Sequence, residues 1–218
     1  MPMSNLTILA GLNGSGKSSV IQALALLRQS KDSLSADGLT LNGQLFNGTN
    51  AGTLENWESG SDLMEINFEV DDRTTYPFEF KYVNIEDTEI KRAPDSVLTE
   101  GWKELPLYTK DFQYISAFRL GPNDDYSTDS GLVEKGQISK FQGRCEYAVS
   151  FLFQNASKNI GDKRMCHESD SSLLLGDQVN AWMQEISPEV RVVVERSGDK
   201  YKLNYRYQDH TASAVNSG

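Results

Sequence analysis

The sequence contains little cysteine and little histidine. Its 218 residues include two cysteines, Cys145 and Cys166, and two histidines, His167 and His210. Two cysteines are too few for a disulfide framework, and the side chains of adjacent residues such as Cys166 and His167 diverge rather than converge on one ion. We therefore expect no structural metal site, no zinc centre and no histidine-based catalytic triad.

Long hydrophobic runs are also missing. No apolar run approaches the roughly 18 to 20 residues that a membrane helix needs, and the first predicted strand follows Met1 too closely to leave room for a signal peptide. We therefore expect a cytoplasmic protein without a membrane partner. The sequence is 38% hydrophobic and 10% aromatic, which is too rich for a disordered chain and sufficient for a substantial core.

Positive charge is in the minority. The sequence has 21 lysines and arginines against 31 aspartates and glutamates, which gives a formal net charge of −10 at pH 7. This charge opposes non-specific attraction to nucleic acid, so any DNA contact must use a local patch. The simpler interpretation is that an acidic surface keeps the protein soluble.

One segment matches the pattern G-x-x-x-x-G-K-[ST] without a mismatch, namely Gly11-Leu12-Asn13-Gly14-Ser15-Gly16-Lys17-Ser18. Short patterns recur by chance, so the context has to decide. Residues 6–10 are apolar and predict a buried strand, and residues 20–27 predict a buried helix. Strand, loop and helix in this order predict a P-loop, which holds the phosphates of a nucleotide.

Each residue type in this P-loop has a chemical role. Glycines allow the backbone N–H groups to wrap around phosphates at a helix N-terminus. Lys17 is expected to bind the β and γ phosphates as the catalytic cation, and the Ser18 hydroxyl to bind Mg²⁺. The predicted ATP-binding residues are Asn13, Gly14, Ser15, Gly16, Lys17, Ser18 and Ser19.

The rest of the sequence predicts many strands and few helices. Alternating residues predict three hairpins, at 38–45 around Asn42-Gly43, at 62–70 with 77–83, and at 189–195 with 201–207. A short strand at 88–91 and a core strand at 110–117 are also expected. Because no helix is predicted between the P-loop helix, 17–28, and residue 143, we expect an antiparallel β layer beside the nucleotide-binding sheet.

Two further helices are predicted, over 144–158 and 173–186. The second has Val179, Trp182 and Ile186 on one predicted apolar face. Between the core strand and these helices, residues 123–142 are long, polar and without apolar anchors, so we predict a mobile loop. From Gln208 onward the residues are small and polar, and no element is expected.

The residues from Leu9 to Ser19, with 21–24 and 27–30, resemble the SMC, RecF and OLD-type branch of ABC ATPases. They resemble more closely bacterial AAA-family ATPases with a C-terminal domain of unknown function. The resemblance extends to residues 41–43, 114–117, 119–122, 146–148, 182 and 185–188, and so covers most of the chain. The P-loop is its one motif that is specific in isolation.

The resemblance implies ATP hydrolysis between two heads packed head to tail, hence a homodimer through the nucleotide site. It suggests DNA or a nuclease as a partner, in DNA transactions or phage defence. The family's signature motif and Walker B strand would follow a hairpin like residues 189–207, near where this sequence stops. Residues 192–195 resemble a Walker B strand, but we interpret them as a hairpin strand; the family's Mg²⁺-binding glutamine has no clear match, and Arg119 lies in its neighbourhood.

The predicted fold class is therefore α/β, an incomplete ABC/SMC-type P-loop NTPase core with an antiparallel β layer and a helical insertion. Residues 1–218 are the N-terminal part of such a head, with the P-loop strand and helix at 1–30, the β layer and core strand at 38–117, the helical insertion at 143–186 and a β hairpin at 189–207. We expect this chain alone to bind ATP without significant hydrolysis. A P-loop kinase and a nucleotide-switched interaction module without turnover are the alternatives.

Overall fold

A computed structural model describes residues 3, 6–34, 38–54, 61, 63–70 and 73–216. The chain forms two compact units, residues 1–112 and residues 113–218. No helix among the described residues is both long and apolar enough to cross a membrane.

The first unit contains one helix and a four-stranded antiparallel sheet. Helix α1 spans Lys17–Gln29. The strands are β1 (Gly38–Thr40), β2 (Leu63–Val70), β3 (Thr74–Lys81) and β4 (Glu89–Arg92), in the spatial order β1-β4-β3-β2. Short 3₁₀ turns lie at Ala51–Thr53, Trp102–Glu104 and Pro106–Tyr108. The predicted hairpin of β2 with β3 and the predicted short strand β4 are confirmed, although Asp62 and the turn residues Asp71 and Asp72 lie outside the described residues.

The core of the first unit follows from the two-residue period of its strands. Phe78 and Phe80 of β3 and Ile90 of β4 are fully buried, and Ile66 and Phe68 of β2 pack on the same side. Phe78 contacts the ring edges of Phe68, at 5.8 Å between centroids, and of Trp102, at 6.1 Å. Helix α1 closes this face with its C-terminal residues Leu26 and Leu27.

The second unit contains three helices and a three-stranded antiparallel sheet. The helices are α2 (Ser130–Glu134), α3 (Ala148–Asn155) and α4 (Leu175–Ile186), with a 3₁₀ turn at Lys163–Met165. The strands are β5 (Val190–Ser197), β6 (Lys200–Tyr207) and β7 (His210–Ser213), followed by a 3₁₀ turn at Ala214–Asn216, and they pair in the order β5-β6-β7. The third predicted hairpin and the predicted helix at 173–186 are confirmed as β5–β6 and α4.

Two predicted core strands are absent. Residues 6–10 and 110–117 belong to neither sheet, and Leu6 and Ile8 are 78% and 79% exposed. Both sheets are antiparallel throughout, so the predicted P-loop core sheet is not present among the described residues. Periodicity describes the side chains of a segment, but a parallel strand also needs a neighbour that a crossover brings alongside. Here every strand pair is antiparallel, including that of β1 with β4, which are far apart in the sequence.

Three local predictions were wrong. The hairpin predicted at Asn42-Gly43 is wider, because a bridge joins Asn42 to Asn47 and β1 pairs with β4 instead. Residues 123–142 are anchored, because Tyr126 is buried and exchanges backbone hydrogen bonds with Tyr201 at 2.8 and 3.0 Å. Strand β7 forms where no element was expected.

The buried faces of two helices also differ from prediction. Residues 20–27 were predicted to form a buried helix, but burial is confined to the C-terminal half of α1, and Ile21 is exposed. In α4 the residues that face inward are Gln178 and Ala181, whereas Trp182 and Ile186 are exposed. Gln178 is held there because its amide bonds His167 N, Asp170 O and Ser172 O. The predicted apolar face of α4 is therefore wrong at Trp182 and Ile186, whereas Val179 is half-buried.

Candidate functional site

The P-loop residues form an exposed loop that leads directly into α1. Gly14 and Gly16 have φ angles of 83° and 81°, a left-handed conformation that side-chain-bearing residues rarely adopt. A Cβ at either position would meet nothing within 4 Å. The loop therefore selects glycine for backbone conformation and not for lack of space.

Lys17 folds back over this loop. Its Nζ donates to the carbonyl oxygens of Gly11 at 2.8 Å and Leu12 at 2.5 Å, and lies 3.4 Å from Ser15 Oγ. No carboxylate of a described residue forms an ion pair with Lys17. The described partners of the Lys17 ammonium are therefore uncharged carbonyl and hydroxyl groups. Phosphate oxygens can replace these groups and form stronger, charge-assisted hydrogen bonds.

The first turn of α1 offers further donors. A helix leaves its first N–H groups without intrahelical acceptors, and its N-terminus carries partial positive charge. The N-cap residue is Gly16, which has no side chain to satisfy them, and the first turn contains no acidic residue. Ser18 and Ser19 are exposed in this turn. The arrangement suits an anion with several oxygens.

The opposite end of α1 is fixed to the first unit. Ser30 is fully buried, donates to Leu26 O at 2.8 Å and accepts from Thr40 N at 2.9 Å. Arg28 Nη1 donates to Leu107 O at 2.9 Å, and its guanidinium lies over the ring of Phe112 at 5.4 Å. The helix is therefore anchored at its C-terminus and presents its N-terminus to solvent.

Two shifted pKa values belong to this anchor. Burial lowers the pKa of Arg28, and the neighbouring Tyr108 opposes that shift. Burial likewise raises the pKa of Tyr108 well above its usual range. Arg28 lies in the last turn of α1, where a positive charge interacts favourably with the C-terminal end of the helix dipole.

Gln29 is a positioning residue that the sequence analysis missed. Its Nε2 donates to Thr40 O at 2.6 Å, and its Oε1 accepts from Leu45 N at 3.1 Å and Phe46 N at 2.7 Å. A Cβ on Gly43 would lie 2.5 Å from this amide. The sequence gives no local signal for these bonds, because the backbone partners lie in residues 40–46 and not in α1.

The other candidates lie apart from the loop in sequence and belong to the second unit. Arg119 is exposed, and its charge opposes the burial that raises the pKa of Cys145. Glu195 lies in β5 directly opposite Lys202 of β6. Residues 192–195 are therefore a hairpin strand, as the sequence indicated, and not a Walker B strand.

The second unit also has a cavity of about 290 Å³ between α4 and its sheet. Its lining residues are Met183, Ser187, Val190, Tyr205, Tyr207, His210 and Ala212. None of the predicted site residues is among them. The P-loop, in contrast, is an open feature whose chemistry comes from backbone N–H groups and Lys17.

Comparison with known families matches residues 6–128 to a family described as "AAA domain, putative AbiEii toxin, Type IV TA system". The match spans more than half of the chain and includes the P-loop, α1 and the whole four-stranded sheet. No similar protein was found among curated proteins or among solved structures. The family match identifies a P-loop domain of the AAA ATPase type.

Proposed function

The chain belongs to the family described as "AAA domain, putative AbiEii toxin, Type IV TA system", and from this premise we propose that residues 11–18 bind ATP together with Mg²⁺. The observation that carries the proposal is the combination of Gly14 and Gly16 in left-handed conformation with Lys17 bent over the same loop. AAA domains are nucleotide-binding ATPase domains, and these residues supply the required phosphate contacts.

The chain's own residues have distinct roles in this proposal. Lys17 exchanges the carbonyls of Gly11 and Leu12 for phosphate oxygens, while the first N–H groups of α1 donate to the phosphates. The Ser18 hydroxyl fits Mg²⁺, because this ion retains several waters and needs few protein oxygens beside the phosphates. When bound, Mg²⁺ neutralises phosphate charge. Asn13, Ser15 and Ser19 complete the polar lining.

A finer assignment is also proposed. The resemblance to SMC, RecF and OLD-type ABC ATPases supports ATP hydrolysis at the interface of a head-to-tail homodimer, with the P-loop of one copy completed by its partner. No Walker B strand is predicted in the sequence, and residues 192–195, which resemble one, form a hairpin strand. We therefore propose that this chain alone binds ATP without significant hydrolysis. The same observation favours a nucleotide-switched module as the second candidate.

The test is a titration of a fluorescent ATP analogue with Mg²⁺ against the chain and its Lys17→Ala variant. Loss of one charge-assisted contact is worth about 1.5 to 3 kcal/mol, so we expect affinity to fall about tenfold or more. Lys135→Ala is the matched control, because Lys135 is exposed and lies outside the P-loop. Equal affinity of the Lys17→Ala variant and the wild type would exclude the assignment.

Phosphate release at saturating Mg-ATP separates binding from turnover. The wild-type chain is expected to release no more phosphate than Lys17→Ala, even where it binds the analogue tightly. Turnover that depends on Lys17 would show instead that this chain contains its own catalytic carboxylate. Transfer of phosphate to an added small-molecule acceptor would favour a P-loop kinase.

A further inference from the structure

Among the described residues, one face of the three-stranded sheet packs against helix α3. Val194, Tyr201 and Leu203 cluster with Val149 of α3, and Phe153 of α3 lies 5.1 Å from the ring of Tyr201. Because side chains alternate along a strand, the intervening residues lie on the opposite side. This open face consists of Arg191, Val193, Glu195, Ser197, Lys200, Lys202, Asn204, Arg206, Thr211 and Ser213.

The open face has an unusual charge arrangement. Arg191 of β5 lies directly opposite Arg206 of β6, and both are exposed. Like charges directly opposite each other destabilise a strand pair. No carboxylate of a described residue forms an ion pair with either arginine. The fold therefore retains a repulsive cation pair in a chain whose net charge is −10.

The described acids near this face lie against its lysines and not against its two arginines. The one acid on the open face, Glu195, faces Lys202 and accepts from Asn204 Nδ2 at 3.2 Å. Asp125 pairs with Lys200 at 3.7 Å, at the turn end of β6. The open face thus combines four exposed cations, Arg191, Lys200, Lys202 and Arg206, with the uncharged donors Asn204 and Thr211.

We propose that the open face binds the phosphate backbone of a nucleic-acid duplex. Arginine, lysine, asparagine, serine and threonine are the side chains that usually contact phosphates. Arg206 and Lys202 are four residues apart along β6, which corresponds to about 13 Å. A DNA duplex presents several phosphates over this length. The open face contains no aromatic residue, so it lacks the stacking platform of single-strand binders.

The test measures binding of a labelled DNA duplex of about two helical turns to the full chain, without nucleotide, at several salt concentrations. For Arg191→Gln/Arg206→Gln we expect the affinity to fall at least about tenfold. We also expect the negative slope of log K against log[salt] to become shallower by about two, because two phosphate contacts are lost. The matched control Arg73→Gln/Lys135→Gln has the same change of net charge outside the open face, and we expect it to bind like wild type.

A second variant distinguishes a loss of duplex binding from a loss of folding. Arg206→Glu places opposite charges across the strand pair, so we expect binding to be lost while the melting temperature is no lower than that of the wild type. Lys17→Ala should bind the duplex normally, which makes failure of this proposal distinguishable from failure of the ATP site. An equal affinity for an RNA duplex would support recognition of the backbone.

Three outcomes would overturn the proposal. The first is equal duplex affinity of Arg191→Gln/Arg206→Gln and the Arg73→Gln/Lys135→Gln control. The second is tighter binding of single-stranded DNA than of the duplex. The third is tighter binding of polyglutamate than of the duplex, with the same dependence on Arg191 and Arg206, which would assign the open face to an acidic protein partner.

Discussion

The two sheets of this protein use similar strands for different purposes. The four-stranded sheet buries large aromatic side chains, with Phe78 and Phe80 fully inaccessible, and α1 packs on them. The three-stranded sheet buries far less, with Tyr201 as its one largely buried apolar side chain among the described residues, and its open face carries arginine and lysine. The four-stranded sheet therefore anchors α1, whose N-terminal end carries the proposed ATP site. The three-stranded sheet instead carries the open face, the proposed surface for a nucleic-acid duplex.

This difference explains how an exposed loop can be precisely placed. The P-loop itself makes few contacts beyond those of Lys17, but α1 is held at its other end by Leu26, Leu27 and Ser30. A helix with regular backbone hydrogen bonds transmits that position to its N-terminus about 20 Å away. The contacts that anchor α1 and the proposed ATP site thus lie at opposite ends of one helix.

The largest expected effect is on the core of the four-stranded sheet. Phe78→Ala removes a fully buried ring from contact with Phe68 and Trp102, and we expect the free energy of unfolding to fall by about 3 to 5 kcal/mol. Leu203→Ala in the three-stranded sheet should cost clearly less, because Leu203 is only partly buried. Urea unfolding measures both. Phe118→Ala, at an 86% exposed position, is the control, and equal losses for Phe78 and Leu203 would contradict the contrast between the sheets.

The next prediction concerns Gly16 of the P-loop, where a substitution should lower nucleotide affinity more than it lowers the stability of the fold. Gly16→Ala forces a left-handed conformation on alanine, at a cost of about 1 to 2 kcal/mol, so affinity for the ATP analogue should fall about 5- to 30-fold. Because the loop is exposed, we expect the free energy of unfolding to change less than for Phe78→Ala. Gly121→Ala is matched, since its Cβ also meets open space and its φ is ordinary. A comparable loss of affinity for Gly121→Ala would contradict a conformational requirement at Gly16.

A smaller effect of opposite sign is expected in the three-stranded sheet. Arg206→Glu replaces a like-charge pair with an opposite-charge pair across β5 and β6, so the free energy of unfolding should rise by about 0.2 to 1 kcal/mol. Raising the salt concentration should reduce this gain, because the pair is exposed. Lys202→Glu is the counterpart, since it places two acids opposite each other and should destabilise. A loss of stability on Arg206→Glu would show that the two arginines do not repel.

The smallest effect concerns the connection between β3 and β4. Asp87 Oδ2 accepts from Asn84 N at 2.9 Å and Val83 N at 3.0 Å, and these bonds, that of Asn84 first, hold the pKa of Asp87 below its usual range. A lowered folded-state pKa means that the stabilisation is present above the unfolded value, near 4, and is lost as the pH falls through the folded value. The difference in stability between wild type and Asp87→Asn should therefore shrink between pH 6 and about pH 3. An unchanged difference would contradict this, and Asp95→Asn is the exposed control.

The P-loop prediction agrees with the family match of residues 6–128, whereas the ligands assigned to its individual residues stay a prediction. Residues 11–18 were identified from glycine spacing, a lysine and a serine, because phosphate binding needs those types at that spacing. The hairpins β2–β3 and β5–β6 were also predicted, since alternation and turn residues are local signals. Gln29 was missed, because its function depends on backbone groups of residues 40–46 that only the fold brings to it.

The P-loop, the helix after it and the hairpins β2–β3 and β5–β6 were predictable from the sequence, because each depends on residues within a few positions of one another. The order of the strands in each sheet, the buried face of α4 and the partners of Gln29 depend on the fold, because they join residues that are distant in the sequence. The fold also placed Arg191 opposite Arg206, since register is a property of two strands and not of either sequence alone. The predicted strands at 6–10 and 110–117 show the same limit, because a strand pattern does not supply the neighbour that a strand requires.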